Sequence, residues 1–408
     1  MLHRKLADFL SSPSVRKTFG SILGANNGLG PGFDILRLGL AVAILVAHAA
    51  RLAGTRGPIP SLFELILDFL GQAHAQTPNI NAAAQETISS GTPWLRPIVI
   101  THVPMFFALS GFLVTGSAFR ARKVLPFLTL RFFRIFPALC VEVALSAIVI
   151  GAVFTTLDLR AYYTDPMFLT YFGNIVGKVQ MELPGVSFWR YDAHAVNANL
   201  WTLPSEFYCY LILAAMIVTG LIFNRALSTL LFGIASILLI VANVFFGFDS
   251  QPWILAPSVN VYYFFMGAMF FHWRDLIPHK GWLCLACIPI AYVLEFSTQA
   301  VYLVPVFVTY ITIYVGLCNI PTNKLLRSGD YSYGIYLYGY PIMQAIVASV
   351  PFVRYRYFTF TSLALATTLV FSILSWHLIE KHFLKLRHRI SKRSASIETT
   401  AAAMQPRP

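Results

Sequence analysis

An arginine and a histidine stand eleven residues apart in the otherwise apolar stretch FDILRLGLAVAILVAHAARL. Eleven residues make about three helical turns, so Arg37 and His48 share one helix face, roughly 16 Å apart. Arg37 suits an anion and His48 suits a general base. The alternative is an arginine that reaches the headgroups and a histidine at the interface. Ionisable groups inside a span are typical of function, so we predict catalytic roles for both. Asp34 is placed to pair with Arg37.

A second pair of arginines stands at the start of a later apolar run, RFFRIFPALCVE. Arg131 and Arg134 are three residues apart and lie on one helix face. They stand closer to the apolar core than anchoring to headgroups requires. Their planar, bidentate donors suit a pyrophosphate, which predicts binding of an anionic cofactor. Glu142, on the same face, is another ionisable group at depth.

Four single residues complete the set of candidates. Glu206, in NANLWTLPSEFYCYL, could orient and charge His48 or form a structural ion pair. Trp201 fits either an interfacial belt or a site wall that contacts substrate, and Tyr336 has the same two interpretations. Ser110, in ALSGF, could contact the cofactor or act as a nucleophile, although helix packing explains this serine better. Pro341, shortly after Tyr336, breaks regular hydrogen bonding inside its segment.

The elements that carry these residues are membrane helices. Of the 408 residues, 57% are hydrophobic and only 12% are charged, whereas a soluble domain carries about a quarter charged residues. In such an apolar chain, the net charge of +13 indicates an excess of Lys and Arg in cytoplasmic loops and attraction to anionic membrane lipids. It does not indicate binding of nucleic acid. The five cysteines fall in apolar runs, which favours inert thiols over metal or redox sites.

The apolar runs predict an all-α polytopic membrane helix bundle of about ten transmembrane helices, each needing about 20 residues. The predicted spans are 33–53, 98–118, 135–155, 200–223, 226–248, 254–271, 281–298, 301–319, 331–350 and 358–380. Lys and Arg are more frequent in alternate flanks, which predicts that both termini are cytoplasmic. The segment 166–180 is too short and polar to span. We predict a basic N-terminal segment 1–32, a transmembrane domain 33–381 and a basic, then disordered tail 382–408.

Six segments, taken in order, resemble the acyltransferase 3 family of membrane-bound O-acyltransferases that modify surface glycans. They are FDILRLGLAVAILVAH, MFFALSGFLV, RFFRIFP, LWTLPSEFYCYL, YSYGIYLYGYP and HLIEK. The resemblance implies transfer of an acyl group, usually acetyl, from cytoplasmic acyl-CoA. The implied acceptor is a hydroxyl on the outer side, in a polysaccharide such as lipopolysaccharide or exopolysaccharide, or in a lipid-linked sugar. It also implies a bacterial inner (plasma) membrane and no metal.

The resemblance also assigns roles to particular residues. It implies that Arg37 and His48 are essential and that Arg131 and Arg134 contact CoA. It also implies that Glu206 is the glutamate of the L-W-x-L-x-x-E motif of the family. The chain departs from the family at Gly339, where many members carry histidine, so a catalytic role at that position is in doubt.

Other functions were weighed against acyl transfer. A transporter or flippase would use the buried charges to line a pathway, but it would need inverted repeats and paired broken helices, which the sequence does not show. A catalytically silent sensor of acyl-CoA or lipid-linked compounds would share the fold. Direct transfer and an acyl-enzyme on His48 or Ser110 both stay open, as does oligomer formation.

Overall fold

The structure, a computed structural model, describes residues 17–53, 93–188, 194–246, 257–321, 329–351, 353 and 356–385. Over these residues the regular elements are all helices, and the β pairing there consists of two isolated bridges. The predicted all-α class is confirmed.

Fifteen α-helices follow one another in the described ranges. They are α1 (Phe19–Ala25), α2 (Phe33–Ala53), α3 (Arg96–Ile100), α4 (His102–Ala121), α5 (Val124–Leu145), α6 (Gly151–Phe154), α7 (Leu159–Thr164), α8 (Pro166–Tyr171), α9 (Leu203–Val218), α10 (Arg225–Phe246), α11 (Pro257–His272), α12 (Gly281–Leu294), α13 (Val304–Leu317), α14 (Ser332–Ser349) and α15 (Tyr357–Ser375). A π-helical turn, Ser146–Ile150, joins α5 to α6, and a second, Trp376–Glu380, follows α15.

Among the residues that the structure describes, six helical stretches are long and apolar enough to cross a bilayer, which identifies an integral membrane protein. They are Phe33–Ala53, Arg96–Ala121, Val124–Phe154, Ala198–Val218, Arg225–Phe246 and Tyr357–Lys385. Each of the ten predicted runs contains a helix, but α12 and α13, for example, have only 14 residues each. The count of ten and the cytoplasmic termini therefore stay predictions.

The chain forms two compact units. The first comprises Met1–Leu40, Thr92–Arg120 and Leu211–Arg327, and the second comprises Ala41–Gly91, Ala121–Tyr210 and Ser328–Pro408. Both α2 and α9 contribute residues to both units. The domain boundaries predicted at residues 32 and 381 stay predictions.

In the first unit, two glycines allow α4 and α11 to cross with their backbones in contact. A Cβ atom on Gly111 would lie 1.8 Å from the carbonyl oxygen of Phe264, and one on Gly267 would lie 2.0 Å from that of Ala108. Small residues permit such close approach between membrane helices. The SGF sequence therefore includes a packing position at Gly111.

In the second unit, the segment 166–180, predicted not to span, follows directly after α7. It forms the six-residue α8 and a 3-10 turn, Phe172–Val176, which are too short to cross a bilayer. The hydroxyls of Tyr162 and Tyr163 donate to the carbonyl oxygens of Ala147 and Ile148 in the π-helical turn that follows α5. These hydrogen bonds attach α7, which directly precedes that segment, to the π-helical turn.

The crossing of α4 and α11 predicts unequal effects of two glycine substitutions. Gly111→Ala should destabilise the protein by about 1–3 kcal/mol, because the added methyl forces the two backbones apart. Gly233→Ala, in α10, is the control, since nothing lies within 4 Å of its Cβ position. The control should be neutral or slightly stabilising. Thermal unfolding in detergent measures both, and equal melting temperatures would contradict the close crossing.

Candidate functional site

Helix α2 carries Arg37 and His48 on one continuous helix, as predicted. Arg37 belongs to the first unit and His48 to the second. The Nη1 atom of Arg37 lies 3.7 Å from Oδ1 of Asp34, so the predicted pair is present. The Asp34 side chain is 83% exposed, and such an exposed pair contributes little to stability.

His48 packs against a buried tyrosine of α14. The ring centroids of His48 and Tyr340 are 5.1 Å apart with an interplanar angle of 88°, an edge-to-face contact. Next to Tyr340, a Cβ atom on Gly339 would lie 3.3 Å from Cδ1 of Leu45, also on α2. The absent side chain at position 339 thus lets the second half of α2 approach α14 closely beside His48.

A proline in α14 creates the polar contact at the centre of the second unit. Pro341 has no N–H, so the carbonyl of Leu337, four residues earlier, loses its helical hydrogen bond. The side-chain amide of Asn197 donates to this carbonyl oxygen at 3.0 Å. Asn197 is fully buried, and its oxygen accepts from the backbone N–H of Asn199 at 3.1 Å. The predicted break in α14 is confirmed, and a side chain compensates for it.

The same amide also contacts the buried glutamate of α5. Asn197 donates to Oε1 of Glu142 at 2.8 Å, and the hydroxyl of Ser146 donates to that oxygen at 2.6 Å. Glu142 is almost completely buried, as its position in the span predicted. One amide therefore joins α5, α14 and the turn before α9.

That turn, the 3-10 segment Ala198–Thr202, also contacts the predicted substrate residue Tyr336. The amide of Asn199 donates to the carbonyl oxygen of Tyr336 at 2.6 Å. The Tyr336 hydroxyl donates to the carbonyl oxygen of Asn199 at 3.1 Å and shares a 2.8 Å hydrogen bond with Thr202. Trp201 lies in this turn and is half-buried. The structure thus brings the Trp201 segment and Tyr336 together.

An ion pair engages one of the two predicted cofactor-binding arginines. The Nη2 atom of Arg134 lies 2.6 Å from Oδ2 of Asp330, which precedes α14, and the two side chains are 24% and 19% exposed. Ser332 donates to the other oxygen of Asp330 at 2.6 Å. The charge of Glu380, in the π-helical turn after α15, also acts on Arg134. Arg134 is therefore fixed by acids, although part of its surface stays open.

Glu206 belongs to the same group of charges. It accepts a hydrogen bond from the hydroxyl of Tyr210, and the charges of Arg131 and Arg134 both act on it. We call Arg131, Arg134, Glu206, Asp330 and Glu380 the arginine–acid cluster. The structure places Glu206 with the arginines, and a role toward His48 stays a prediction.

Three tyrosines of α14 connect His48 with the arginine–acid cluster. Tyr333, Tyr336 and Tyr340 are spaced three and four residues apart, so they share one helix face, which we call the tyrosine face. Glu206 acts electrostatically on both Tyr333 and Tyr336, and Tyr340 contacts His48. Seven residues of helix separate the two ends of this face by about 10 Å.

The sequence reasoning missed three polar residues of the site. Asn197 and Asn199 precede the Trp201 motif in an N-x-N pattern, and Asp330 precedes α14. A buried proline was the available signal, because the carbonyl that it releases needs a donor from elsewhere. The sequence offered no comparable signal for Asp330, which lies 196 residues beyond its partner Arg134.

Ser110 lies in α4, within the first unit, next to the glycine at which α4 crosses α11. Its predicted contact with a cofactor stays a prediction. Within the described ranges, no three His, Cys, Asp or Glu side chains lie together as a metal-binding group. All five cysteines have free thiols.

The double role of Asn197 predicts the effect of an isosteric change. Asn197→Asp should lower stability by about 1–3 kcal/mol for each buried partner left unpaired, because a carboxylate cannot donate to Glu142 or Leu337. Asn224→Asp is the matched control, since the exposed Asn224 only accepts, from the N–H of Leu227 at 3.0 Å. Melting temperatures in detergent compare the two. Similar values for both variants would show that Asn197 is not essential to the unit.

Comparisons with known proteins identify the family of the chain. The family model described as an acyltransferase domain, that of the acyltransferase 3 family, matches residues 31–377. An O-acetyl transferase of Shigella phage Sf6 is 27% identical over 360 residues, covering 86% of this chain and 95% of the relative. Nodulation protein 10 of Rhizobium leguminosarum bv. viciae is 27% identical over 316 residues, which cover 72% of this chain and 85% of that relative. No solved structure matches the chain.

The family match extends over most of the chain, from before α2 into the π-helical turn after α15. It includes α2, the tyrosine face and every member of the arginine–acid cluster except Glu380. The chain therefore belongs to the acyltransferase 3 family and is a membrane-embedded acyltransferase.

Proposed function

We propose that this protein transfers an acetyl group from acetyl-CoA on the cytoplasmic side of a bacterial inner membrane to a hydroxyl of a glycan or lipid-linked sugar on the outer side. Membership of the acyltransferase 3 family supports the reaction class. The phage relative is an O-acetyl transferase, which supports acetyl as the transferred group and oxygen as the acceptor atom.

One observation carries the proposal: His48 contacts the same face of α14 that borders the arginine–acid cluster. An imidazole is the side chain best suited to remove a proton from a hydroxyl near neutral pH. A pair of arginines is suited to bind the phosphates of the donor. Tyr340 beside His48 and Tyr333 beside the arginine–acid cluster are about 10 Å apart along α14, so a single extended donor would be long enough to contact both ends of the tyrosine face.

The reaction needs one proton acceptor. The neutral His48 ring takes the proton of the acceptor hydroxyl while its oxygen attacks the thioester carbonyl. The tetrahedral intermediate then expels the CoA thiolate, which receives the proton back from the imidazolium. Tyr340 fixes the ring orientation, because its edge-to-face contact restricts rotation of the imidazole. Direct transfer uses these residues alone, and an acyl-enzyme on His48 or Ser110 is the alternative.

The donor phosphates would bind Arg131 and Arg134 of the second unit, and the role of Arg37 in the first unit stays a prediction. Arg134 forms an ion pair with Asp330, which orients its guanidinium while leaving it partly exposed. Glu206 would orient the two arginines from the other side, given its electrostatic interaction with both. This role is the structural alternative that the sequence left open for Glu206.

The acceptor would bind at the turn Ala198–Thr202. Trp201 is half-buried there, and aromatic faces suit the apolar faces of sugar rings. The hydroxyl of Tyr336 faces the same turn. Because Asn197 and Asn199 attach this turn to α14, the acceptor and His48 would depend on the same helix for their positions.

His48→Ala should reduce transfer of labelled acetyl from acetyl-CoA to membrane acceptors by at least about 100-fold, the typical contribution of a general base. The control is His382→Ala, which removes an exposed imidazole after α15 and should keep full activity. Equal elution in size-exclusion chromatography verifies the fold of both variants. Full acceptor labelling by the His48→Ala protein would end the proposal.

The role of Arg134 predicts a split between KM and kcat. Arg134→Gln should raise KM for acetyl-CoA about tenfold, because one charge-assisted bidentate contact is lost, with a smaller effect on kcat. Asp330→Asn keeps the guanidinium of Arg134 and should not raise KM for acetyl-CoA. Arg122→Gln is the control for loss of an exposed positive charge. An unchanged KM in Arg134→Gln, together with a lower yield of folded protein, would reduce the pair to a structural role.

A further inference from the structure

The first unit contains a second group of cations outside the proposed transfer site. Arg225 is the first residue of α10, and its guanidinium stacks on the indole of Trp273 at 3.4 Å from the ring centroid. The indole N–H donates to the hydroxyl of Thr229 at 3.0 Å, and this hydroxyl donates to the carbonyl oxygen of Arg225 at 2.8 Å. The indole on which the guanidinium stacks is therefore fixed in orientation relative to the start of α10.

Several nitrogen atoms of this group are buried without a partner. The Nε and Nη2 atoms of Arg225 and the Nε2 atom of His272 have no hydrogen-bond partner among the described residues. His272 is only 5% exposed and ends α11, directly before Trp273. A buried nitrogen without a partner is unfavourable, so a bound group that accepts hydrogen bonds would stabilise all three.

The charge of the group points to an anion. The charges of Arg225 and Arg274 both act on His272, and Arg274 is aligned by a 2.8 Å hydrogen bond to the carbonyl oxygen of Phe271. For the part of the chain that the structure describes, Asp275 is the one carboxylate paired with either arginine, at 3.9 Å from Arg274, and its side chain is 61% exposed. Such a weak, exposed pair leaves most of the positive charge uncompensated.

The position of the group points to the membrane interface. Arg225 begins a 22-residue candidate span, and a tryptophan directly after a helix is typical of the headgroup region. Beyond Arg225, α10 exposes apolar side chains along its length, such as Leu230, Ile234 and Leu238. These would contact acyl chains of the leaflet whose headgroups lie level with Arg225.

We propose that Arg225, His272, Trp273 and Arg274 form a site for a phosphate group at the membrane interface, distinct from the transfer reaction. Guanidinium donors match phosphate oxygens, and the neutral imidazole N–H donates to a third oxygen. A phospholipid headgroup and a free phosphate ester offer the same chemistry. The exposed apolar side of α10 favours the headgroup.

Binding of soluble probes to the purified full-length protein tests the site. The probes are a short-chain phosphatidylglycerol, the matching diacylglycerol without phosphate, and CoA. We expect the diacylglycerol not to bind, and Arg225→Gln to weaken binding of the phosphate probe about tenfold through loss of charge-assisted hydrogen bonds. Arg225→Lys should weaken it less, because it keeps the charge, and Arg122→Gln should leave it unchanged.

The probes also separate the two sources. Dependence of phosphatidylglycerol binding on Arg225 identifies a headgroup site, and dependence of CoA binding alone identifies a site for a free phosphate ester. Should Arg225→Gln not fold, His272→Gln provides the second variant, and the phosphate probe should raise the melting temperature of the unmodified protein. Binding that is unaffected in both variants, or equal binding of the diacylglycerol, would overturn the proposal.

Discussion

The second unit depends on the hydrogen bonds of one buried amide. Pro341 leaves the carbonyl of Leu337 without a helical donor, and Asn197 donates both to that carbonyl and to the carboxyl of Glu142. Leu337 is buried, and an unsatisfied buried carbonyl is costly because no water replaces the missing donor. The stability of the proline-containing helix α14, the buried glutamate and the turn before α9 is therefore coupled. Through this dependence, Tyr336, Tyr340 and the His48 ring keep fixed positions.

A second constraint concerns the charges of the same unit. Two arginines within apolar surroundings need counter-charges, and the described structure supplies Asp330, Glu206 and Glu380. These acids limit how strongly an arginine attracts a further anion, yet they also fix the guanidinium planes. A donor phosphate would thus meet oriented donors of moderate net charge. That arrangement suits a substrate that must bind and leave in every cycle.

The sequence predicted the features that depend on local pattern. Runs of about 20 apolar residues predicted helices, six of which in the described ranges are long enough to span, because a bilayer imposes that length. Helical periodicity predicted that Arg37 and His48 share one face of α2. Ion partners such as Asp330 were not predictable, because their contacts depend on how distant helices pack. Asn197 was not predicted for a related reason. The pattern showed that Pro341 leaves a carbonyl without its helical donor, but not which side chain donates a hydrogen bond to that carbonyl. The short helices α12 and α13 show that apolar composition alone does not fix the number of spans.

The central claim is that one extended donor contacts the arginine–acid cluster and reaches His48 along the tyrosine face. The most direct measurement is a cryo-electron microscopy structure of the protein with a non-hydrolysable thioether analogue of acetyl-CoA. The account predicts phosphates beside Arg131 and Arg134 and the reactive end of the analogue next to the His48 ring. An analogue bound away from His48, with the arginines contacting only their acids, would contradict it.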